Sequence, residues 1–245
     1  MVANKRFIVH HDEQGRVFIY DKNTASTILL PKSDYERMVL SNNYDLILTN
    51  KFQKESNKDS FWIAKKVFYI NDYNFNGLLG GTFETIIIFI SIPLFVFSVY
   101  QYSVSRIFYE LMAGIIPYFL VGIVVTFPIG LLLHEISHAI IAIRNGVFVP
   151  EIGIGFRKNL MLYAYTRLIG MKYISSRFKK IKIYFAGIGM NLFIASLSFI
   201  YLRFTSFGSF FVFPLGFMST LQGFFNLSIF SKSDGLSILR VLLGN

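Results

Sequence analysis

Cysteine is absent from the 245-residue chain, which excludes disulfides and thiolate metal sites. The absence leaves the redox compartment open, because it suits either side of a membrane. Histidine is scarce, with His10, His11, His134 and His138 the only copies. Acidic residues are also few: beyond Asp72 only Glu84, Glu110, Glu135, Glu151 and Asp234 remain. Any metal site in the later part of the chain must therefore be built from a short list of side chains. The N-terminus, MVANKRFIVHHDEQGR, turns polar after a very short apolar stretch, which predicts no cleavable signal peptide.

Apolar residues are plentiful. At 53% hydrophobic and 18% aromatic, the chain is too apolar for an ordinary soluble domain. Four apolar runs, near 83–104, 111–144, 182–203 and 209–230, are each long enough to cross a hydrocarbon layer of about 30 Å at about 1.5 Å per helical residue. Pro117 and Pro128 fall in the long second run, so the expectation is four spans, or five if that run is broken in two.

Residues 1–75 differ from the rest. They hold nine of the 14 acidic residues, short apolar runs such as RVFIY and STILL, and a candidate helix, SDYERMVLS, with Ser33 or Asp34 as its N-cap. This predicts a small cytosolic α+β domain, marginal in size for a core of its own, preceding a membrane core at 76–245. Its expected role is a handle for docking a partner or substrate.

The net charge of +10 is distributed in a membrane pattern. Eleven of the 24 basic residues lie in 1–75 and nine in 144–182, whereas the two opposite turns carry only Arg106 and Arg203. Basic loops on one face predict cytosolic N- and C-termini and contact with the lipid bilayer. No aromatic-basic surface module is present, so nucleic acid is not an expected partner.

Within this apolar setting stands LLLHEISHAI, residues 131–140. His134 and His138 are spaced i and i+4, so on a helix both imidazoles share one face and can reach one tetrahedral Zn²⁺. Glu135 beside them can act on water, as base and then as proton donor. Chance alone yields H-E-x-x-H on the order of once in 500 chains of this make-up. A pair of packed histidines is the bland alternative, but three ionisable groups within five residues of a span need a partner or a wet cavity.

A catalytic zinc site needs a third protein ligand and an open position. Glu84 and Glu110 are expected near the outer or far ends of other spans, and Glu151 is too close in sequence to swing back easily. Asp234, just past the cytosolic end of the fourth span, is the expected third ligand. A membrane transporter of metal ions or protons would instead string carboxylates or histidines along several spans and show internal repeats, and neither is present. A non-catalytic peptide-binding or immunity protein would have no use for the base Glu135.

These residues resemble the site-2 protease family of intramembrane zinc metalloproteases. The likeness covers about residues 110–240 and rests on H-E-x-x-H, on AGIGMN (Ala186–Asn191) and on NLSIFSKSDG (Asn226–Gly235), in the family's order. It implies His134, His138 and Asp234 as zinc ligands and Glu135 as the base. Asn191 and Asn226 are implied to hydrogen-bond the substrate backbone or the developing oxyanion; interhelical hydrogen bonding is their bland alternative. The implied substrate is a membrane-bound peptide or protein, cut by zinc-activated water. Ile188 stands where the family usually has proline, and Ile229, Ser231 and Lys232 where prolines are common.

VFVPEIGIGF (147–156) reads as a short strand or hairpin at the cytosolic interface. The resemblance implies that an exposed edge here holds a substrate extended, because a helical peptide bond hides its carbonyl and must unwind to be cut; a simple connecting hairpin is the alternative reading. The fold class expected is thus a mainly α-helical membrane protein with about four transmembrane helices, a short interfacial β-hairpin and a small α+β N-terminal cytosolic domain. The small soluble region without PDZ-like features also resembles peptide zinc metalloproteases encoded beside bacterial modified-peptide toxins.

Overall fold

The computed structural model describes residues 6–12, 14–23, 25–40, 48, 63–69, 78–102, 116–156, 162–205, 207, 209–229 and 233–244. Glu110, Ser231 and Lys232 lie outside the described residues.

The chain opens with three antiparallel strands, β1 (Phe7–His11), β2 (Arg16–Asp21) and β3 (Ser26–Pro31), paired in that order. Strand β2 buries both of its faces because alternate side chains point to opposite sides. Val17 and Ile19 meet Tyr35 and Met38 of α1 (Lys32–Leu40), while Phe18 and Tyr20 share a second cluster with Phe148. The small N-terminal core is thus extended by the segment that follows the H-E-x-x-H helix.

A second sheet joins β4 (Ile63–Tyr69), β5 (Glu151–Phe156) and β6 (Leu162–Thr166) in that order, all antiparallel. This corrects the expectation of a free edge on 147–156. Strand β5 is central, with β4 filling one side and β6 the other.

Among the described residues, four helices are long and apolar enough to cross a membrane. The first span, Gly81–Gln101, combines α2 (Leu78–Thr85), a π-helical turn (Ile86–Ile90) and α3 (Ser91–Gln101). The second lies within α4 (Ile116–Arg144), which runs unbroken through Pro128. The third is α5 (Arg177–Phe204), whose N-cap Ser176 accepts from the Lys179 N–H. The fourth lies within α6 (Ser209–Leu227), and a short amphipathic α7 (Asp234–Leu243) follows.

Helix α5 is the hub: 67% of its span is buried, against 17–33% for the other three. Gly189 lets α5 approach the π-helical turn closely, since a Cβ there would strike the Ile87 carbonyl. Val96, Val121, Val124 and Phe225 stand exposed on the outer faces, as lipid-facing side chains do.

The placement of Glu84 also corrects an expectation. Its carboxylate pairs with Arg144 (Nε–Oε2, 2.9 Å) and with Lys182, so it sits level with the last turn of α4, not at the far end of the membrane. The reason is directional: the first span begins at the same side on which α4 ends.

Candidate metal centre

The H-E-x-x-H residues lie on α4, roughly 9 to 15 Å of helix from its Arg144 end. His134 and His138 are buried and their ring planes stand 79° apart. Helix α7 delivers Asp234 to them across 96 residues of chain. His134 Nε2 and His138 Nε2 are 3.2 Å apart, and each is 3.2 Å from Asp234 Oδ2. Tetrahedral zinc bonds of about 2.0–2.1 Å set ligand atoms about 3.3 Å apart, so these three atoms fit one face of such a tetrahedron. Among the described residues, this is the group of histidines and carboxylates that could hold a metal ion.

Local sequence explains why the three converge. Gly187 on α5 faces the imidazoles, and a Cβ there would fall well inside contact distance of His134 Cε1, His134 Nε2 and His138 Nε2. The glycine is a cradle for the two rings. Gly235 does the same for the carboxylate: a Cβ would collide with the backbone of Leu227 and Asn226, so only glycine lets α7 start against the end of α6. Residues 228, 229 and 233 are non-helical although proline is absent there. The Ser233 hydroxyl instead donates to the Ser228 carbonyl and accepts from Leu236 N–H, closing the break and capping α7.

Each ring is oriented by its other nitrogen. His138 Nδ1 lies 2.7 Å from the Ile183 carbonyl, which can only accept, so Nδ1 carries the proton and the Nε2 lone pair faces the cluster. The Asn191 side-chain amide touches His134 Nδ1, with Nδ2 at 3.1 Å, while Asn191 Oδ1 is buried without a partner. A half-turn of the amide exchanges its two ends. With oxygen toward the ring, His134 Nδ1–H donates to it and Nε2 becomes a metal-facing lone pair. Asn191 is fully buried, so its present contact is with a ring and not with an incoming chain.

Burial opposes ionisation of Asp234, but the adjacent His138 and His134 outweigh it and hold the carboxyl well below the ordinary carboxylate range. Two imidazole nitrogens and a carboxylate oxygen are a donor set that suits a borderline divalent ion such as Zn²⁺.

Glu135 is half-buried beside the cluster, and its backbone carbonyl accepts from Thr166 Oγ1 at 2.8 Å. Strand β6 is thereby held against the motif. Arg167 N–H donates to the Glu151 carbonyl (3.1 Å), so the alternation of an antiparallel ladder turns the N–H and C=O of Ala164 and Thr166 away from β5. Among the described residues β6 is an outer strand of this sheet, so those groups point outward from it.

The remaining candidates do not join the cluster. Asn226 is half-buried in the last turn of α6, with its backbone carbonyl against Gly235. Glu151 is fully buried elsewhere, accepting from Tyr20 and Arg167. Glu84 belongs to the Arg144–Lys182 pair of contacts. His10 and His11 lie on β1.

Four helices long and apolar enough to cross a membrane, and a His-His-Asp group with both histidines buried, define the class, a membrane protein with a candidate divalent-metal centre. The sequence narrows it further. Residues 118–243, just over half of the chain, match Peptidase family M50, and the chain belongs to that family. No curated protein and no solved structure matches the chain. Family membership makes it an integral membrane metallopeptidase of a zinc-dependent family, with a membrane-associated substrate and a lipid environment.

Proposed function

We propose that the protein is an intramembrane zinc endopeptidase that cuts a membrane-inserted or membrane-associated peptide near the cytosolic leaflet. The observation that carries this reading is the 3.2 Å triangle of His134 Nε2, His138 Nε2 and Asp234 Oδ2. These three residues are the zinc ligands, and zinc bound there supplies the Lewis acidity that makes water a nucleophile near neutral pH.

The chain's own residues do the rest. Glu135 takes a proton from the attacking water as its oxygen adds to the scissile carbonyl carbon, then returns it to the amine nitrogen as the C–N bond breaks. Asn191 holds the His134 ring in the ligating tautomer and so acts as a positioning residue. Asn226, in the last turn of α6, faces the substrate backbone. The substrate segment unwinds and pairs with the outer edge of β6 at Ala164 and Thr166, since β5 is already flanked on both sides. A helical segment would hide its carbonyls from this machinery.

Residues 1–75 are a cytosolic α+β domain attached to a membrane core at 76–245, with both termini cytosolic in a bacterial cell membrane. The basic loops support that orientation. The small soluble region favours processing of a modified peptide.

The test is proteolysis of a membrane-inserted peptide by purified protein in liposomes. Glu135→Gln should abolish cleavage while zinc stays bound. Undiminished cleavage by that variant contradicts the assignment.

A further inference from the structure

Side chains alternate along a strand, so neighbours on β6 point to opposite faces of the second sheet. Thr166 points to α4, where it meets the Glu135 carbonyl. Tyr165 and the next-but-one residue, Arg167, point the other way, toward the N-terminal sheet. There they meet Glu151, whose carboxylate is wholly buried. Tyr20 of β2 donates to Glu151 Oε2, and Arg167 Nε donates to Oε1 at 2.9 Å. The Tyr165 hydroxyl lies 3.4 Å from the same Oε1. Gly153 permits that reach, because a Cβ there would strike the Tyr165 ring.

Arg167 carries the connection further into the N-terminal sheet. Its Nη1 donates to the Ala25 carbonyl at 2.7 Å, and its guanidinium carbon lies 5.6 Å from the centre of the Tyr20 ring. Ala25 has a φ of +53°, in the left-handed region that strains any residue but glycine. Strain of this kind persists where neighbouring contacts hold it, and here the guanidinium grips the strained residue's carbonyl. The Arg167 backbone N–H also donates to the Glu151 carbonyl, at 3.1 Å. Desolvation offsets much of the attraction in a buried charge pair, so its worth lies in what it fixes. What it fixes is β6.

We infer that Arg167 and Glu151 are positioning residues for the proposed base, and that the N-terminal sheet sets the place of that base through Tyr20 and Ala25. Thr166 and Arg167 are adjacent, so β6 is gripped from both faces at one point. On one side α4 holds it through Thr166, and on the other the N-terminal sheet holds it through Arg167. Loosening the second grip lets β6 move against α4 and weakens the bond that steadies the Glu135 peptide. The inference rests on the proteolytic reading above and deepens it by giving the N-terminal sheet a part in the reaction.

The test is steady-state cleavage by the full-length protein in liposomes. The probe is a Lys-flanked transmembrane peptide of Leu and Ala that carries a fluorophore and a quencher. Glu151→Gln combined with Arg167→Gln removes both charges together and leaves neither one buried alone. Its kcat should fall to the level of Thr166→Val, roughly twofold to tenfold below wild type. KM should stay within about twofold, because the β5 ladder keeps the outward groups of β6 in the sheet, and zinc content should not change. Adding Thr166→Val should cost less than about a further twofold, since one contact cannot be lost twice. Tyr20→Phe leaves both charges in place and should lower kcat at least about twofold, again without adding to Thr166→Val. It carries the same test if the double variant fails to fold.

A wild-type kcat in these variants, with only the thermal midpoint lowered, would make the contacts merely structural and overturns the inference. So does a loss of kcat that multiplies with that of Thr166→Val, which would mean that the two sites act independently. Loss of zinc in step with kcat would place the effect at the metal ligands and overturns it too. A wild type that cleaves nothing strikes the proteolytic reading, and this role with it. A cleaving wild type beside unaffected variants strikes the role alone.

Discussion

Thr166 Oγ1 donates to the backbone carbonyl of Glu135 at 2.8 Å. One hydroxyl thereby ties the edge strand of a surface sheet to the residue proposed as base. A neutral hydrogen bond of this kind contributes about 0.5–1.5 kcal/mol, which corresponds to roughly twofold to tenfold in rate if it is needed only in the reacting geometry. Thr166→Val should lower kcat within that range, with zinc content unchanged, and Thr166→Ser should restore it. Steady-state cleavage in liposomes beside metal analysis checks this. An unaltered kcat in Thr166→Val would mean that β6 is a passive connector.

Gly187 sets the space for both imidazoles. Its contact on the other side is a ring edge held by Ile183 and Asn191, so the rings cannot retreat without losing those bonds. Gly187→Ala should remove most of the bound zinc while far-UV circular dichroism still reports the helices. Retention of a full zinc complement would show that the rings have room to move.

Glu84 sits between Arg144 and Lys182 with little exposure, so it is the joint between the first span and helices α4 and α5. Removing one partner of a buried ion pair leaves uncompensated charge and typically costs about 3–5 kcal/mol, less where water reaches the group. Glu84→Ala should therefore lower the thermal midpoint in detergent by several degrees, and Glu84→Asp by less. A shift in the same direction for Arg144→Ala alone, with Glu84→Ala silent, would argue against the joint.

How much of this was legible in the sequence varies with the range of the interaction. The i, i+4 spacing of His134 and His138 is a local signal, and so is the apolar length of each span. Asp234 was legible because so few carboxylates follow Asp72 that elimination could reach it. The partner of β4 was not, since strand pairing across more than 80 residues leaves no local mark. Glu151 illustrates the same limit: nothing near it in sequence announces Tyr20, which reaches it across 131 positions. Glycines 187 and 235 stood inside recognised motifs, yet their steric role depends on which helix faces them. Small residues on apolar helices are a usable hint of close approach, and that hint could have found Gly187. For Asn191 the sequence leaves open a bond to the substrate or oxyanion and a bond between helices; the structure shows its buried amide against His134 of the neighbouring helix, a contact that only the fold reveals.

The proposed metal centre between α4 and α7 is tested most directly by metal analysis of the purified chain. Wild type and Glu135→Gln should each carry about one zinc per chain, and Asp234→Ala should carry almost none under the same preparation. A full zinc complement in Asp234→Ala, or none in the wild type after zinc supplementation, would contradict a centre built from His134, His138 and Asp234.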